Sequence, residues 1–245
     1  LTWDRSGRGA NIRVHTHDAT GGSVYYRWSY DETWEITSAV VSMYEYRNGQ
    51  MIARHPLRGN DIHTCWATNN SPEILLANSA RLSQDRISDF RLLTLPSWTE
   101  KLTTRYSLRV QQRAQTRAEY QYWELMQKNS EQLGGLYSPL PTQVSGNVHC
   151  LSAPDEPVLG FVGAYSVTEK RLFIDRTQFP TGWSTWVDPY ESCSVSQFVL
   201  SADMPAMFGT NVLVPVDGGD NGYSATSPEC GDCRLRGTNV KPSYW

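Results

Sequence analysis

Residues 110–133 read V-Q-Q-R-A-Q-T-R-A-E-Y-Q-Y-W-E-L-M-Q-K-N-S-E-Q-L, and two glycines follow at once. Apolar positions in this stretch recur at i, i+4, i+7, i+8, i+11 and i+15, which is the period of an amphipathic helix. The stripe consists of Ala118, Tyr122, Leu125, Met126 and Leu133, with the polar Asn129 at the i+11 position. Gly134-Gly135 supply a left-handed helix cap without a side-chain clash. The stretch therefore predicts one long helix over about 112–133.

The rest of the chain is typical of short strands and turns. Asn48-Gly49 is a strong hairpin signal, because both residues tolerate positive φ. Residues 11–16 and 24–36 favour a first hairpin, and 56–70 favour a polar loop that holds Cys65-Trp66. Further strands are expected at 144–151, 158–165 and 170–175, the last two as a hairpin.

The predicted fold class is α+β, mainly antiparallel β in a sandwich or partly open barrel, with the long helix packed on it. We expect a single β-rich domain over residues 1–245, whose segment 201–245 is a tail held by disulfides. The opening Leu1-Thr2-Trp3 has no initiator Met and no apolar signal region, so an upstream segment is expected to have been removed or to lie outside this sequence.

Composition describes an ordinary globular protein, with 39% hydrophobic and 19% charged residues. The net charge of -3 and the absence of a Lys/Arg cluster argue against nucleic-acid binding, which depends on neutralised phosphates. Nine Trp and thirteen Tyr residues indicate either a heavily packed β core or aromatic binding surfaces. The core interpretation is favoured.

The five cysteines are most simply explained by two disulfides and one free thiol in an oxidising compartment. Cys230-x-x-Cys233 is compatible with half of a zinc site, a redox pair or disulfide partners, but the chain has no second ligand pair for zinc and the motif lies in a Gly/Pro-rich tail. Disulfides from this tail to Cys193 and Cys65 are favoured. Cys150, beside His149 on a predicted strand, is expected to be buried and unpaired.

Two patterns suggest metal binding weakly. His15 and His17 lie two apart on a strand and so share a face, but no third ligand is close by. Residues 217–222 (D-G-G-D-N-G) match part of a calcium loop, yet Pro228 occupies the position of its bidentate carboxylate. We therefore predict no metal and no cofactor.

The common catalytic motifs for serine hydrolases, zinc proteases and nucleotide binding are not present in the sequence. The carboxylates of Asp31, Glu32 and Glu35 could form a glycosidase pair, although spacing in sequence does not give the separation that such chemistry needs. An aromatic loop at 181–190 carries Trp183, Trp186 and Tyr190. It is predicted either to contact a sugar, peptide or protein, or to fold back over the end of the β structure.

Several stretches together resemble a Bacteroidota outer-membrane lipoprotein family, domain of unknown function 4249. They include Cys65-Trp66, residues 25–35 (Y-Y-R-W-S-Y-D-E-T-W-E) and 106–110 (Y-S-L-R-V), and most specifically the ending at 228–245, where C-x-x-C-R-x-R-G closes on K-P-x-Y-W. The resemblance extends over essentially the whole chain. It implies an upstream signal peptide, a lipidated Cys and an immunoglobulin-like domain, none of which this sequence contains. Cys150 is outside the usual cysteine set of the family.

The family resemblance also implies a function. Its members are commonly encoded beside TonB-dependent transporters, so we expect a non-catalytic lipoprotein at the cell surface that captures substrate for, or caps, such a β-barrel transporter. The membrane would be reached only through an N-terminal lipid anchor outside this chain. The alternatives are a structural subunit of an outer-membrane assembly or secretion complex, and a hydrolase acting on glycans or peptides.

Overall fold

The structure is a computed structural model that describes residues 2–3, 9–55, 59–131, 144, 146–179 and 190–245. Its strands are β1 (Thr2–Trp3), β2 (Gly9–His17), β3 (Tyr25–Thr37), β4 (Tyr44–Arg47), β5 (Gln50–Ala53), β6 (Thr64–Asn70), β7 (Leu75–Asn78), β8 (Arg86–Pro96), β9 (Arg105–Gln115), β10 (Ser166–Asp175), β11 (Gln197–Leu200), β12 (Val214–Gly219) and β13 (Gly222–Thr226). Its α-helices are α1 (Arg117–Glu131), α2 (Met204–Met207) and α3 (Pro228–Gly231).

The strands form antiparallel sheets, which confirms the prediction of a mainly antiparallel β protein. The sheet orders are β1-β2-β8, β10-β9-β3-β6 with β7 also paired to β3, β11-β13-β12, and β4-β5. In the part of the chain that the structure describes, no sheet closes into a barrel. The open sheets leave edge strands, and β11 is one of them.

The chain divides into two compact units. Unit 1 consists of residues 1–32, 70–95 and 108–172, and unit 2 consists of residues 33–69, 96–107 and 173–245. The prediction of a single domain over 1–245 with a tethered tail from residue 201 stays a prediction.

Unit 1 is built around the aromatic residues of β3. Burial alternates along this strand, so that Tyr26 and Trp28 point into the core. Trp28 is 1% exposed, stacks on Phe90 with ring centroids 4.5 Å apart, and donates its indole N–H to Gln112 at 2.9 Å. The aromatic content of this part of the sequence therefore serves a packed core.

The predicted helix over about 112–133 is wrong at its start. Residues up to Gln115 belong to β9, and α1 begins only at Arg117. The physical reason is local: the hydroxyl of Thr116 accepts the backbone N–H of Glu119 at 3.2 Å, which caps the helix there. The described part of α1 has 15 residues, and the predicted end at 132–133 lies outside the described residues. None of the described helices is both long and apolar enough to span a membrane.

The predicted apolar stripe of the helix is only partly right: Tyr122, Met126 and Asn129 are half-buried, and Leu133 lies outside the described residues. Ala118 and Leu125 are exposed, whereas Tyr120 is buried. Tyr120 packs against Tyr25 of β3 at 5.1 Å between ring centroids, and Trp123 lies under the guanidinium of Arg27 at 3.8 Å. Large aromatic side chains on one face bury more area than the small and aliphatic residues of the predicted stripe, so they decide which way the helix faces.

Two predicted hairpins of unit 1 do not form. β2 pairs with β1 and β8 rather than with β3. The backbone N–H of Asp18 donates to the carboxylate of Asp85 at 2.9 Å, which ties the end of β2 to the start of β8. Residues 146–165 contain no strand, so the predicted strands over 144–151 and 158–165 are wrong within the described residues. In this segment the side-chain amide of Asn147 instead donates to the backbone oxygen of Val162 at 2.7 Å and accepts the Val162 N–H at 2.8 Å.

In unit 2 the Asn48-Gly49 hairpin is confirmed. These residues have φ of 52° and 79° and join β4 to β5. The predicted loop around Cys65-Trp66 is instead strand β6, whose Trp66 exchanges two backbone hydrogen bonds with Thr238. Residues from 201 onward contain α2, β12, β13 and α3, and they enclose a small apolar core of Val199, Met204, Phe208, Leu213 and Ala225.

Candidate functional site

The predicted aromatic contact residues are only partly placed by the structure. Trp183 and Trp186 lie outside the described residues. Tyr190 is half-buried; its hydroxyl donates to the backbone oxygen of Thr37, and its ring faces the guanidinium of Arg236 at 4.8 Å. Tyr190 therefore holds two segments of unit 2 together, and both roles predicted for the loop at 181–190 stay predictions, because the rest of it lies outside the described residues.

The four cysteines expected in disulfides form two bridges, Cys65–Cys233 and Cys193–Cys230. The two cysteines of the C-x-x-C motif therefore pair with distant partners rather than with each other. The N–H of Cys233 also donates to the backbone oxygen of Ile62 at 2.9 Å, next to β6. Together these links clamp the turn at 230–233 onto two separate parts of unit 2.

Cys150 differs from its prediction. It is free, half-exposed and outside any strand, and its sulfur lies 3.4 Å from the hydroxyl of Ser152. The hydrogen bond from Ser152 lowers the pKa of the thiol. Residues 146–165 form no strand, so Cys150 is not covered by a neighbouring strand of a sheet.

Both arginines of the C-R-x-R-G sequence are engaged in ion pairs within unit 2. Arg234 forms a two-pronged pair with Asp232, with Nε–Oδ1 at 2.9 Å and Nη2–Oδ2 at 2.7 Å. Arg236 donates to Glu100 at 2.5 Å, and Glu100 also accepts the indole N–H of Trp34 at 3.2 Å. Fork-shaped arginine pairs of this kind fix geometry as well as charge.

A cavity of about 260 Å³ lies beside the Asp232–Arg234 pair. We call it the charged cavity, because its wall contains two cations and two anions together with a few apolar side chains. The charged residues are Glu45, Arg54, Asp232 and Arg234, and the apolar ones include Ile62, Phe208 and Leu213. The volume is below that of most drug-sized ligand sites, so the charged cavity suits a small, polar molecule.

Arg54 is the most buried cation of the charged cavity, with only 11% of its side chain exposed. Its Nε donates to the backbone oxygen of Tyr44 at 2.9 Å, its Nη1 donates to that of Asn60 at 2.7 Å, and Glu45 lies 3.9 Å away. Burial lowers the pKa of this guanidinium, yet arginine stays charged at neutral pH. Arg54 thus cross-links the β4–β5 region and places a fixed positive charge on the wall.

Sequence reasoning missed all four charged residues of this cavity. The sequence does contain a signal for the Asp232–Arg234 ion pair, because an acidic and a basic residue flank Cys233 and their spacing allows them to meet within one turn. Arg54 and Glu45 have none, because only the pairing of β4 with β5 and the disulfide at Cys233 bring them to the same wall.

The other carboxylates considered as catalytic candidates have structural partners. Asp31 forms an ion pair with Arg109, and Glu35 accepts the indole N–H of Trp245 at 3.2 Å. Glu32 is 2% exposed. Among the described residues no group of three or more His, Cys, Asp or Glu side chains is placed to hold a metal ion.

Asp232 makes the stability of unit 2 depend on pH. Burial raises the pKa of this carboxyl, but the hydrogen bonds from Arg234 outweigh burial and hold it below the ordinary 3.8. Since the folded pKa is below the unfolded one, the contribution is fully present above the unfolded pKa and is lost as pH falls through the folded pKa. We expect Asp232→Asn to lower the free energy of unfolding by about 1–2 kcal/mol at neutral pH and to flatten its fall below about pH 4.

Urea denaturation at neutral pH and at a series of acidic pH values measures this effect. Asp220→Asn is the matched control, because that carboxylate is exposed on a turn and its removal is expected to leave both quantities unchanged. Identical acid profiles for Asp232→Asn and the parent protein would contradict the assignment.

Comparison with known proteins gives one match. A family model described as Domain of unknown function (DUF4249) matches residues 1–171. Searches of curated proteins and of solved structures give no match. The matched region contains β1 to β9 and α1, whereas the C-x-x-C segment, which contributes the most specific part of the sequence resemblance, lies beyond it. With more than half of its residues matched, this chain belongs to the DUF4249 family.

Proposed function

We propose that this chain works outside the cytoplasm as a non-catalytic binding subunit of a TonB-dependent outer-membrane transporter, where it captures substrate or caps the barrel. A lipid anchor on an upstream segment would hold it at the cell surface. The observation that carries the proposal is the pair of disulfides that clamp the 190–233 region around the charged cavity. The disulfides support an oxidising compartment and a rigid scaffold, and the charged cavity supports the binding of a small ligand.

The disulfides support the compartment. Cys65 and Cys233 are 0% and 1% exposed, so they are enclosed as the protein folds and act as structural bridges. Structural disulfides form and persist in oxidising environments such as the periplasm and the cell surface, and they are rare in a reducing cytosol. This chemistry supports an exported location.

The charged cavity supports the capture role. On its wall Asp232 pairs with Arg234, and Glu45 lies 3.9 Å from Arg54. Glu45 also pairs with Arg47 at 2.8 Å. The wall therefore offers both donors and acceptors at small separation. Such a wall favours a small molecule that carries both signs of charge, or several hydrogen-bonding groups, over an apolar ligand. A surface subunit that retains such molecules near a barrel would raise their local concentration.

A structural subunit of an outer-membrane assembly or secretion complex is the second candidate. It is favoured by the way the last residues are locked: Trp245 packs edge-on against Trp66 at 6.4 Å, and the Tyr244 hydroxyl lies 2.8 Å from that of Thr33. A protein that only binds and releases a ligand does not require residues 244–245 to be packed so tightly. The two candidates differ in whether the isolated protein binds small polar molecules at all.

The test is purification of the protein from its native envelope in mild detergent, carrying an affinity tag and its natural anchor. We expect a large β-barrel protein to co-elute, and we expect calorimetry of the isolated chain against a panel of amino acids, short peptides and sugars to reveal one binding class. Arg54→Gln should remove that binding, whereas Arg81→Gln is the matched control and should retain it, because Arg81 is exposed and does not line the cavity. A monomer with no barrel partner would overturn the transporter assignment, and a complex without ligand binding would favour the structural subunit.

A further inference from the structure

Strand β11 of unit 2 has one buried and one exposed apolar face. Val199 is 5% exposed and packs in the small core with Met204 and Phe208. Its neighbours Phe198 and Leu200 are 61% and 56% exposed. Side chains of a strand point alternately to its two faces, and the residues on an exposed face are usually polar. Two large apolar side chains on the exposed face of β11 therefore indicate a binding surface.

β11 is also an open edge. The sheet order β11-β13-β12 places β13 on one side, and β11 has no other strand neighbour in the described part of the chain. The opposite edge differs, since the Met43 N–H donates to Val216 of β12 at 3.0 Å. The outward backbone groups of β11 are therefore available to an added strand.

Apart from its short length, β11 lacks the common sequence devices that protect edge strands from pairing. Its four residues read Q-F-V-L, without the Lys, Pro or inward charge that commonly block a free edge. An unprotected edge with alternating apolar side chains is the template for recognition of an extended peptide, in which the backbone supplies affinity and the side chains supply specificity.

The segment of the sequence that contains β11 is one-sided in charge. Residues 177–233 contain seven Asp and Glu residues and no Lys, Arg or His, which leaves 22 basic against 18 acidic residues in the rest of the chain. Asp203, Asp217 and Asp220 are exposed. Asp220 lies at the Leu200 end of β11, where its backbone oxygen accepts the hydroxyl of Ser201 at 3.3 Å.

We propose that β11 is a docking edge for an extended segment of a partner protein in which apolar residues alternate with Lys or Arg. The segment would add as a strand beside β11, its apolar side chains against Phe198 and Leu200 and its cations beside Asp203 and Asp220. A second copy of this chain is disfavoured as the occupant, because two copies of the same edge bring acidic surfaces of equal sign together. The inference is independent of the transporter role and of the charged cavity.

The probe is a fluorescent peptide of about eight residues that alternates Lys and Val, which is the length of an ordinary strand. Its binding to the full chain is measured by anisotropy at low and high salt. Two further peptides serve as controls: one has Glu in place of every Lys, and the other has Pro in place of alternate Val residues, which removes backbone donors. We expect binding of the Lys–Val peptide alone, weakened by salt.

Variants locate the binding. Phe198→Lys and, separately, Leu200→Lys are expected to weaken binding about tenfold or more by removing buried area and adding a like charge. The double variant Asp203→Asn, Asp220→Asn is expected to weaken it about threefold and to reduce its salt dependence. Val240→Lys is the matched control, since Val240 is 69% exposed and lies outside the sheet, and it should bind as the parent does.

Three outcomes would overturn the inference. The first is equal binding of the Lys–Val and Glu–Val peptides. The second is equal affinity of Phe198→Lys, Leu200→Lys and Val240→Lys proteins whose thermal melting shows that all are folded. The third is sedimentation of the parent chain as a dimer that Phe198→Lys converts to a monomer, which would assign the edge to self-association.

Discussion

Replacing Cys65 and Cys233 together by Ala is expected to lower the free energy of unfolding by about 4–5 kcal/mol. The two residues are separated by 168 positions, so the bridge closes a loop that contains most of the chain. Opening it releases a large entropy in the unfolded state, and it also frees the turn at 230–233 from β6 in the folded state. Since a protein of this kind is stable by roughly 5–15 kcal/mol, the loss is a large fraction of the total.

Urea denaturation without reductant measures this loss, in a Cys150→Ala background that prevents thiol exchange. The matched control is the double replacement of Cys193 and Cys230, whose separation is 37. Loop entropy grows only with the logarithm of length, so the control should lose about 1 kcal/mol less. A smaller loss for the Cys65–Cys233 pair than for the Cys193–Cys230 pair would show that the long bridge does not act through the unfolded chain.

Trp28→Ala is expected to destabilise the protein by about 3–5 kcal/mol. The indole is buried, stacks on Phe90 and hydrogen-bonds to Gln112, so its removal leaves a large cavity and an amide oxygen without its donor. Both costs act in the same direction, because the cavity loses dispersion contacts and the buried acceptor loses its partner.

Thermal and urea unfolding followed by circular dichroism measure the effect of this substitution. Trp98→Ala removes the same side chain from a position that is 64% exposed, and a change within about 0.5 kcal/mol is expected there. Trp28→Phe should fall between the two, since the ring is retained while the N–H is lost. Equal destabilisation by Trp28→Ala and Trp98→Ala would contradict the placement of Trp28 in the core.

Helix α1 shows which features of a helix can be predicted from the local sequence pattern. The periodicity of residues 110–133 correctly predicts that a helix occurs, but it does not resolve the helix start, because strand and helix patterns overlap through Gln115. A Thr116-x-x-Glu119 sequence, typical of a capped start, was the signal that would have placed the boundary. Which face is buried depends on Tyr25 and Arg27 of β3, and no periodicity within the helix contains that information.

The sequence by itself determined the mainly antiparallel β character, the Asn48-Gly49 hairpin, the family and the choice of Cys65, Cys193, Cys230 and Cys233 for disulfides. These features depend on backbone preferences and residue chemistry that act over a few positions. Only the tertiary structure decided the disulfide pairing, the charged cavity at Arg54 and Asp232, and the open edge of β11. Each of these brings together residues far apart in the chain, and such contacts are selected by the burial and pairing of whole strands.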